Sequence, residues 1–212
     1  IYEMRSAFRE QLADTLARDP TVQHGIKQWH AMDDEARRDV LQHVVDVQNE
    51  LAGNPTVRVE IEDTPLRDTS TGKQRSRGHY QPDGPVRLNR SHKSFWDNPE
   101  KVIGTTVHEV THHDQLLLGR GYANGDIDRD DPRYLAAAIF NDGVTHGYVN
   151  ARTDTGHYQN QLVEKLARAT QIVVEQRLEA IGLEQAYSPG RSGIDNHSQS
   201  VSDHTRKVGR IM

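Results

Sequence analysis

The stretch His108-Glu109-Val110-Thr111-His112 constrains this chain more than any other. It continues a run, Val102-Ile103-Gly104-Thr105-Thr106-Val107, whose apolar members Val102, Ile103 and Val107 recur with Val110 at helical spacing. Asp97, Asn98, Pro99 and Glu100 just before it form a helix-start signal: a capping side chain, a proline in the first turn, then an acid. The spacing predicts a largely buried helix over residues 98–118, closed by Gly119-Arg120-Gly121. Residues four apart on a helix share a face. His108 and His112 can therefore present two imidazole nitrogens to one ion, each at about 2.0–2.1 Å for Zn²⁺. Glu109 stands about 100° round the helix, where it reaches a metal-activated water without being a ligand. Two imidazoles and a bare acid on a buried surface are costly without a cation to serve, and this division of labour is what metal-assisted amide hydrolysis requires.

The rest of the chain reads as α+β. Residues 3–18 form an amphipathic helix with Phe8, Leu12 and Leu16 on one face, broken at Asp19-Pro20. A second helix starts at Asp33 or Asp34, carries Val40, Leu41, Val44, Val45, Val47 and Leu51, and stops at Gly53-Asn54-Pro55. Residues 56–62 alternate strictly and predict a half-buried strand. Residues 64–77 read as a mobile polar loop. Residues 79–81 and 85–89 predict two short strands about an Asp83-Gly84 turn. The acidic stretch with Asp126, Asp128, Asp130 and Asp131 lacks the glycine and terminal glutamate of a calcium loop, and reads as solvated. Helices are predicted over 132–140 and 157–181, the latter ending at Gly182, and a loosely packed tail follows from Ser188. One domain accounts for the length, residues 1–212, with 1–32 as a helical annex and 183–212 as the tail.

Composition narrows the function classes. A net charge of −5 gives no electrostatic reason to expect nucleic acid or an anionic membrane surface. The absence of cysteine excludes disulfides, thiolate zinc sites and a thiol nucleophile. No apolar stretch approaches the ~20 residues of a membrane span. The chain opens on Ile1-Tyr2-Glu3, with neither an initiator Met nor a basic signal-peptide start, which reads as a processed product or an excised piece.

A catalytic zinc site needs a third protein ligand and an open position. Downstream candidates are Asp142, His146, His157, Glu164 and Glu175. The compact arrangement with a glycine and a third histidine close behind the motif is absent, since Gln115 and Leu118 occupy those places. Glu164 stands out because its neighbours Leu162, Val163, Leu166 and Ala167 are apolar, and a carboxylate on such a surface calls for a cation. Gln115, seven residues after His108, is placed for a hydrogen bond to a ligand. His113 points off the metal face and reads as a surface or supporting residue.

The string Tyr158-Gln159-Asn160-Gln161-Leu162-Val163-Glu164-Lys165-Leu166-Ala167 resembles the Y-x-N-x-x-x-E-x-x-A segment of bacterial gluzincin-type metallopeptidase domains, and the order of elements over residues 33–182 resembles the zincin core. Gln161 stands where a proline or an acid is frequent in such domains. The resemblance implies that His108, His112 and Glu164 hold zinc and that Glu109 is the base; Asp142 and His146 remain alternatives for the third ligand. It leaves Tyr158, His157, Tyr148 and His146 as candidate oxyanion donors, Tyr158 and His157 foremost. It also implies that the strand Val86–Asn89 is an edge on which an extended peptide pairs. Similar domains end secretion-system effectors and polymorphic toxins, including type VI spike proteins. The resemblance thus implies a delivered toxin that cuts a protein or peptide and is countered by a cognate immunity protein. Cell-wall stem peptides are the alternative substrate, and a structural zinc module is the alternative of another class.

Overall fold

The computed structural model describes residues 2–63, 77–142 and 161–186. In chain order these form α1 (Tyr2–Arg18), α2 (Pro20–Gln28), a 3₁₀ turn at Trp29–Ala31, α3 (Asp34–Ala52), β1 (Val59–Glu62), β2 (Gly78–Tyr80), β3 (Val86–Asn89), α4 (Lys93–Asp97), α5 (Pro99–Asn124), α6 (Tyr134–Asp142) and α7 (Leu162–Ala186). The architecture is mostly helical with one small mixed sheet, α+β in the general sense. No described helix is long and apolar enough to cross a membrane.

Local chemistry sets most of the boundaries. Asp19-Pro20 ends α1, but it also begins α2, which the sequence reading did not predict: the Asp19 carboxylate accepts from the Thr21 and Val22 amides, with Pro20 at the first helical position. Asp33 caps α3 in the same way through Ala36 N, and Gly53 closes it at φ 69°, a left-handed conformation that glycine adopts without strain. Asn98 caps α5 through Lys101 N at 3.0 Å, with Pro99 in the first turn as predicted. The helix does not end at Gly119. It runs on to Asn124 and is closed by Gly125 at φ 76°. Gly119 serves packing instead: a Cβ there would stand 3.1 Å from the Asn141 amide nitrogen, so the missing side chain lets the α6 backbone lie against α5. Gly182 likewise lies inside α7 rather than ending it.

The sheet order is β1-β3-β2. β3 pairs parallel with β1 (Val59 opposite Val86) and antiparallel with β2 (Gly78 opposite Leu88). The predicted hairpin about Asp83-Gly84 is present, with Gly84 N bonded to Gln81 O at 2.8 Å. The expected edge position of Val86–Asn89 is not: β3 is central, and among the described residues β1 and β2 are the edges. The reason is the parallel pairing of β1 with β3, a contact between segments far apart in the chain that local pattern does not reveal.

Two apolar clusters hold these elements. The larger gathers Leu12, Leu16, Val22, Trp29, Leu41, Val44, Val86, Leu88, Ile103, Val107, Val174 and Leu178. Of residues 1–32, expected as an annex, Leu12, Leu16, Val22 and Trp29 belong to this larger cluster. The smaller joins Leu118, Ala137, Phe140, Val163 and Leu166, at the C-terminal part of α5, α6 and the start of α7. Helix α5 runs through both, touching α3, α6, α7, β2 and β3, and its threonines are accommodated by bonding back one turn: Thr105 Oγ1 to Lys101 O, Thr106 Oγ1 to Val102 O and Thr111 Oγ1 to Val107 O.

Candidate metal centre

His108 and His112 stand one turn apart on α5, facing the first turn of α7, where Glu164 has no exposed surface. The two Nε2 atoms are 3.1 Å apart. Glu164 Oε2 lies 3.5 Å from His108 Nε2 and Oε1 lies 3.3 Å from His112 Nε2. Ligand atoms about 2.0–2.1 Å from a tetrahedral ion stand about 3.3–3.4 Å from one another. The spacing of the two imidazoles is close to this, and the carboxylate sets one oxygen beside each ring, so that one ligand atom from each of the three side chains lies within 4.8 Å of the others. They form a buried group able to hold a metal ion, and no other protein ligand joins them among the described residues.

Glu109 is 8 % exposed, next to this face. No described residue donates a hydrogen bond to its carboxylate; what it presents is charge, felt at His112. Burial alone would push the His112 ring toward a lower pKa, but the Glu164 hydrogen bond, the charges of Glu109 and Glu164, and Gln115 outweigh it and hold the ring above its ordinary value. Both carboxylates thus favour the protonated ring.

Supporting contacts fix the motif helix from several sides. His112 Nδ1 donates to Gln115 Oε1 at 2.9 Å, and Gln115 Nε2 donates to the Val163 carbonyl at 2.9 Å. From α3, Gln48 Nε2 reaches Thr111 Oγ1 at 3.1 Å and Val107 O at 3.3 Å. Asp114 is held by Arg5 of α1 and by Asn54 Nδ2 at 2.9 Å. His113 is off the metal face as expected, yet it is buried, not a surface residue: Tyr80 OH donates to its Nδ1 at 2.9 Å, and its Nε2 donates to Pro55 O at 3.3 Å. Burial lowers its pKa, in keeping with a neutral structural ring. Tyr80 and Pro55 carry no sequence signal for this contact.

Of the other candidate ligands, Glu175 is turned elsewhere, accepting from Gln171 Nε2 at 2.7 Å and facing Lys101 Nζ at 3.7 Å. Asp142 is exposed at the end of α6. His146, Tyr148, His157 and Tyr158 lie outside the described residues, as do residues 64–76 of the loop predicted over 64–77. Strand β2 runs beside α5, with Gly78 against Thr105 and Tyr80 bonded to His113, so its two ends bracket the turn that carries His108, Glu109 and His112. No protein-family model, curated protein or solved structure matches the chain.

Proposed function

We propose that this chain is a zinc-dependent peptidase with a zincin-like core, in which His108, His112 and Glu164 hold the metal and Glu109 is the general base. The observation that carries the reading is the convergence of two imidazoles and the Glu164 carboxylate, one ligand atom of each within 4.8 Å of the others, beside an acid to which no described residue donates a hydrogen bond. Two imidazoles and one carboxylate are the donor set of hydrolytic zinc, and three protein ligands leave a fourth position for water. When bound, zinc supplies the charge that acidifies water and polarises a scissile carbonyl. Glu109 takes the proton of the attacking water and returns it to the departing amine. Gln115 keeps His112 oriented, and strand β2, an edge among the described residues, offers main-chain groups on which an extended peptide can pair. This role moves from β3, the strand first expected to hold it, to β2. Delivery as a secreted toxin domain, with an immunity protein as partner, is supported by the likeness of the Tyr158–Ala167 segment to effector metallopeptidases.

The test is Glu109→Gln, which keeps all three ligands. It is expected to retain one zinc per chain while hydrolysis of a casein-type substrate falls by about 10²-fold or more. Undiminished hydrolysis would remove Glu109 from the reaction. Release of peptides from purified cell wall, with casein untouched, would redirect the substrate to stem peptides.

A further inference from the structure

We infer that Gln115 is the positioning residue of this centre, setting which nitrogen of His112 faces the ion and locking the helix that carries Glu164 to the helix that carries both histidines. The inference rests on the metal reading above and adds the device that assembles the site. Gln115 is 3 % exposed, so each polar atom of its amide must be satisfied inside the protein. One neighbour is the Val163 carbonyl, which can only accept. The NH₂ group must therefore point at Val163, and the amide oxygen must point at His112 Nδ1. An oxygen there only accepts, so Nδ1 carries the hydrogen. In the neutral ring the lone pair is then left on Nε2, the atom 3.3 Å from Glu164 Oε1 and 3.1 Å from His108 Nε2. The chain of donors thus runs in one direction, from ring to amide to α7 backbone, and the amide favours the Nδ1–H tautomer over the Nε2–H form that the Glu164 carboxylate on the other side of the ring would favour.

The same amide fixes the second half of the site. Val163 immediately precedes Glu164, so the bond to its carbonyl sets the register of α7 against α5 at the residue next to the carboxylate. His108 has no equivalent support: its Nδ1 is buried and takes part in no hydrogen bond among the described residues. Steering of the imidazole pair by the described residues therefore falls on Gln115 alone.

The experiment uses the full chain with Gln115→Leu and Gln115→Glu. Zinc affinity is measured by competition with a chromophoric chelator, and the tautomer of His112 by ¹⁵N NMR of the metal-free protein at a pH where the ring is neutral. Wild type is expected to show the Nδ1–H form. Gln115→Leu should give a mixture of tautomers and bind zinc about 10–100-fold more weakly. Gln115→Glu keeps an acceptor for Nδ1–H but loses the donor to Val163, so it should restore the single tautomer and fall between the other two in affinity. A purely structural glutamine would lower stability and leave the tautomer alone. Wild-type zinc affinity in Gln115→Leu, or an unchanged single tautomer, would overturn the inference and spare the metal reading. A wild type that takes up no zinc would overturn both.

Discussion

A carboxylate with no exposed surface, set between two imidazoles, is an unstable arrangement unless a positive charge accompanies it. In the metal-free protein a proton on His112, which Glu164 and Glu109 both favour, supplies such a charge. The sign of the pH effect follows. The folded ring titrates above its ordinary value of 6.5, so the stability contributed by the protonated pair is fully present below that value and is lost as pH rises through the higher, folded-state titration. Zinc needs the same nitrogen without its proton, so its affinity changes in the opposite sense. Thermal melts of the chelated protein across neutral to mildly alkaline pH should show falling stability, while chelator competition over the same range shows tightening zinc binding. Parallel trends would mean that His112 and the metal do not share a site. The grouping of His108, His112 and Glu164 was legible from single residues: the four-residue spacing, and a lone glutamate among apolar neighbours. His113 was the exception, because its partners Tyr80 and Pro55 come from elements whose arrangement in space has no local signature.

Elements were legible where their ends are chemically marked. Asn98-Pro99 at the start of α5 and Gly53 at the end of α3 stand where capping physics puts them. Two marks carried a second meaning. Asp19-Pro20 reads as a break, yet an aspartate before a proline is also an N-cap before the first helical position, and α2 begins there. Burial would raise the Asp19 carboxyl, but the His43 hydrogen bond, the Val22 amide, the His43 charge and the Thr21 amide prevail and hold it below its ordinary 3.8. Its stabilising contribution is therefore present above that value and lost as pH falls through the folded-state titration. Asp19→Ala should cost about 1 kcal/mol in urea unfolding near neutral pH, with the deficit against wild type shrinking in acid. A pH-independent deficit would show that packing, not the charged cap, holds α2. Gly119 reads as a helix stop but is a contact point between α5 and α6, where the facing atoms are α6 backbone and cannot swing aside. Gly119→Val should therefore destabilise by about 1–3 kcal/mol through overpacking. If the variant is as stable as wild type, α6 is free to move away from α5.

At the scale of the whole molecule, the sheet was the least legible part. Its strands were recognisable from alternation and turn residues, but the central position of β3 depends on a parallel pairing across a long connection. The relation between the two clusters was equally hidden. Helix α7 brings Val163 and Leu166 to the smaller cluster and Val174 and Leu178 to the larger, and Glu164 faces the histidines of α5 at the junction. A metal ion held there bridges the two helices that span both clusters. Its binding energy should therefore stabilise the molecule as a unit instead of ordering one turn. Zinc at 100 times its dissociation constant adds about 2.7 kcal/mol by mass action. For a chain of this size each kcal/mol moves the midpoint by roughly 2–4 °C, so saturation should raise it by about 5–10 °C. The whole transition should shift, by near-ultraviolet circular dichroism, which reports the packed aromatic side chains, Trp29 of the larger cluster among them, and by calorimetry alike. Glu164→Ala should fold without responding to zinc. If zinc raises the midpoint of Glu164→Ala as much as that of wild type, the ion binds elsewhere and the α5–α7 junction is held by side-chain packing alone.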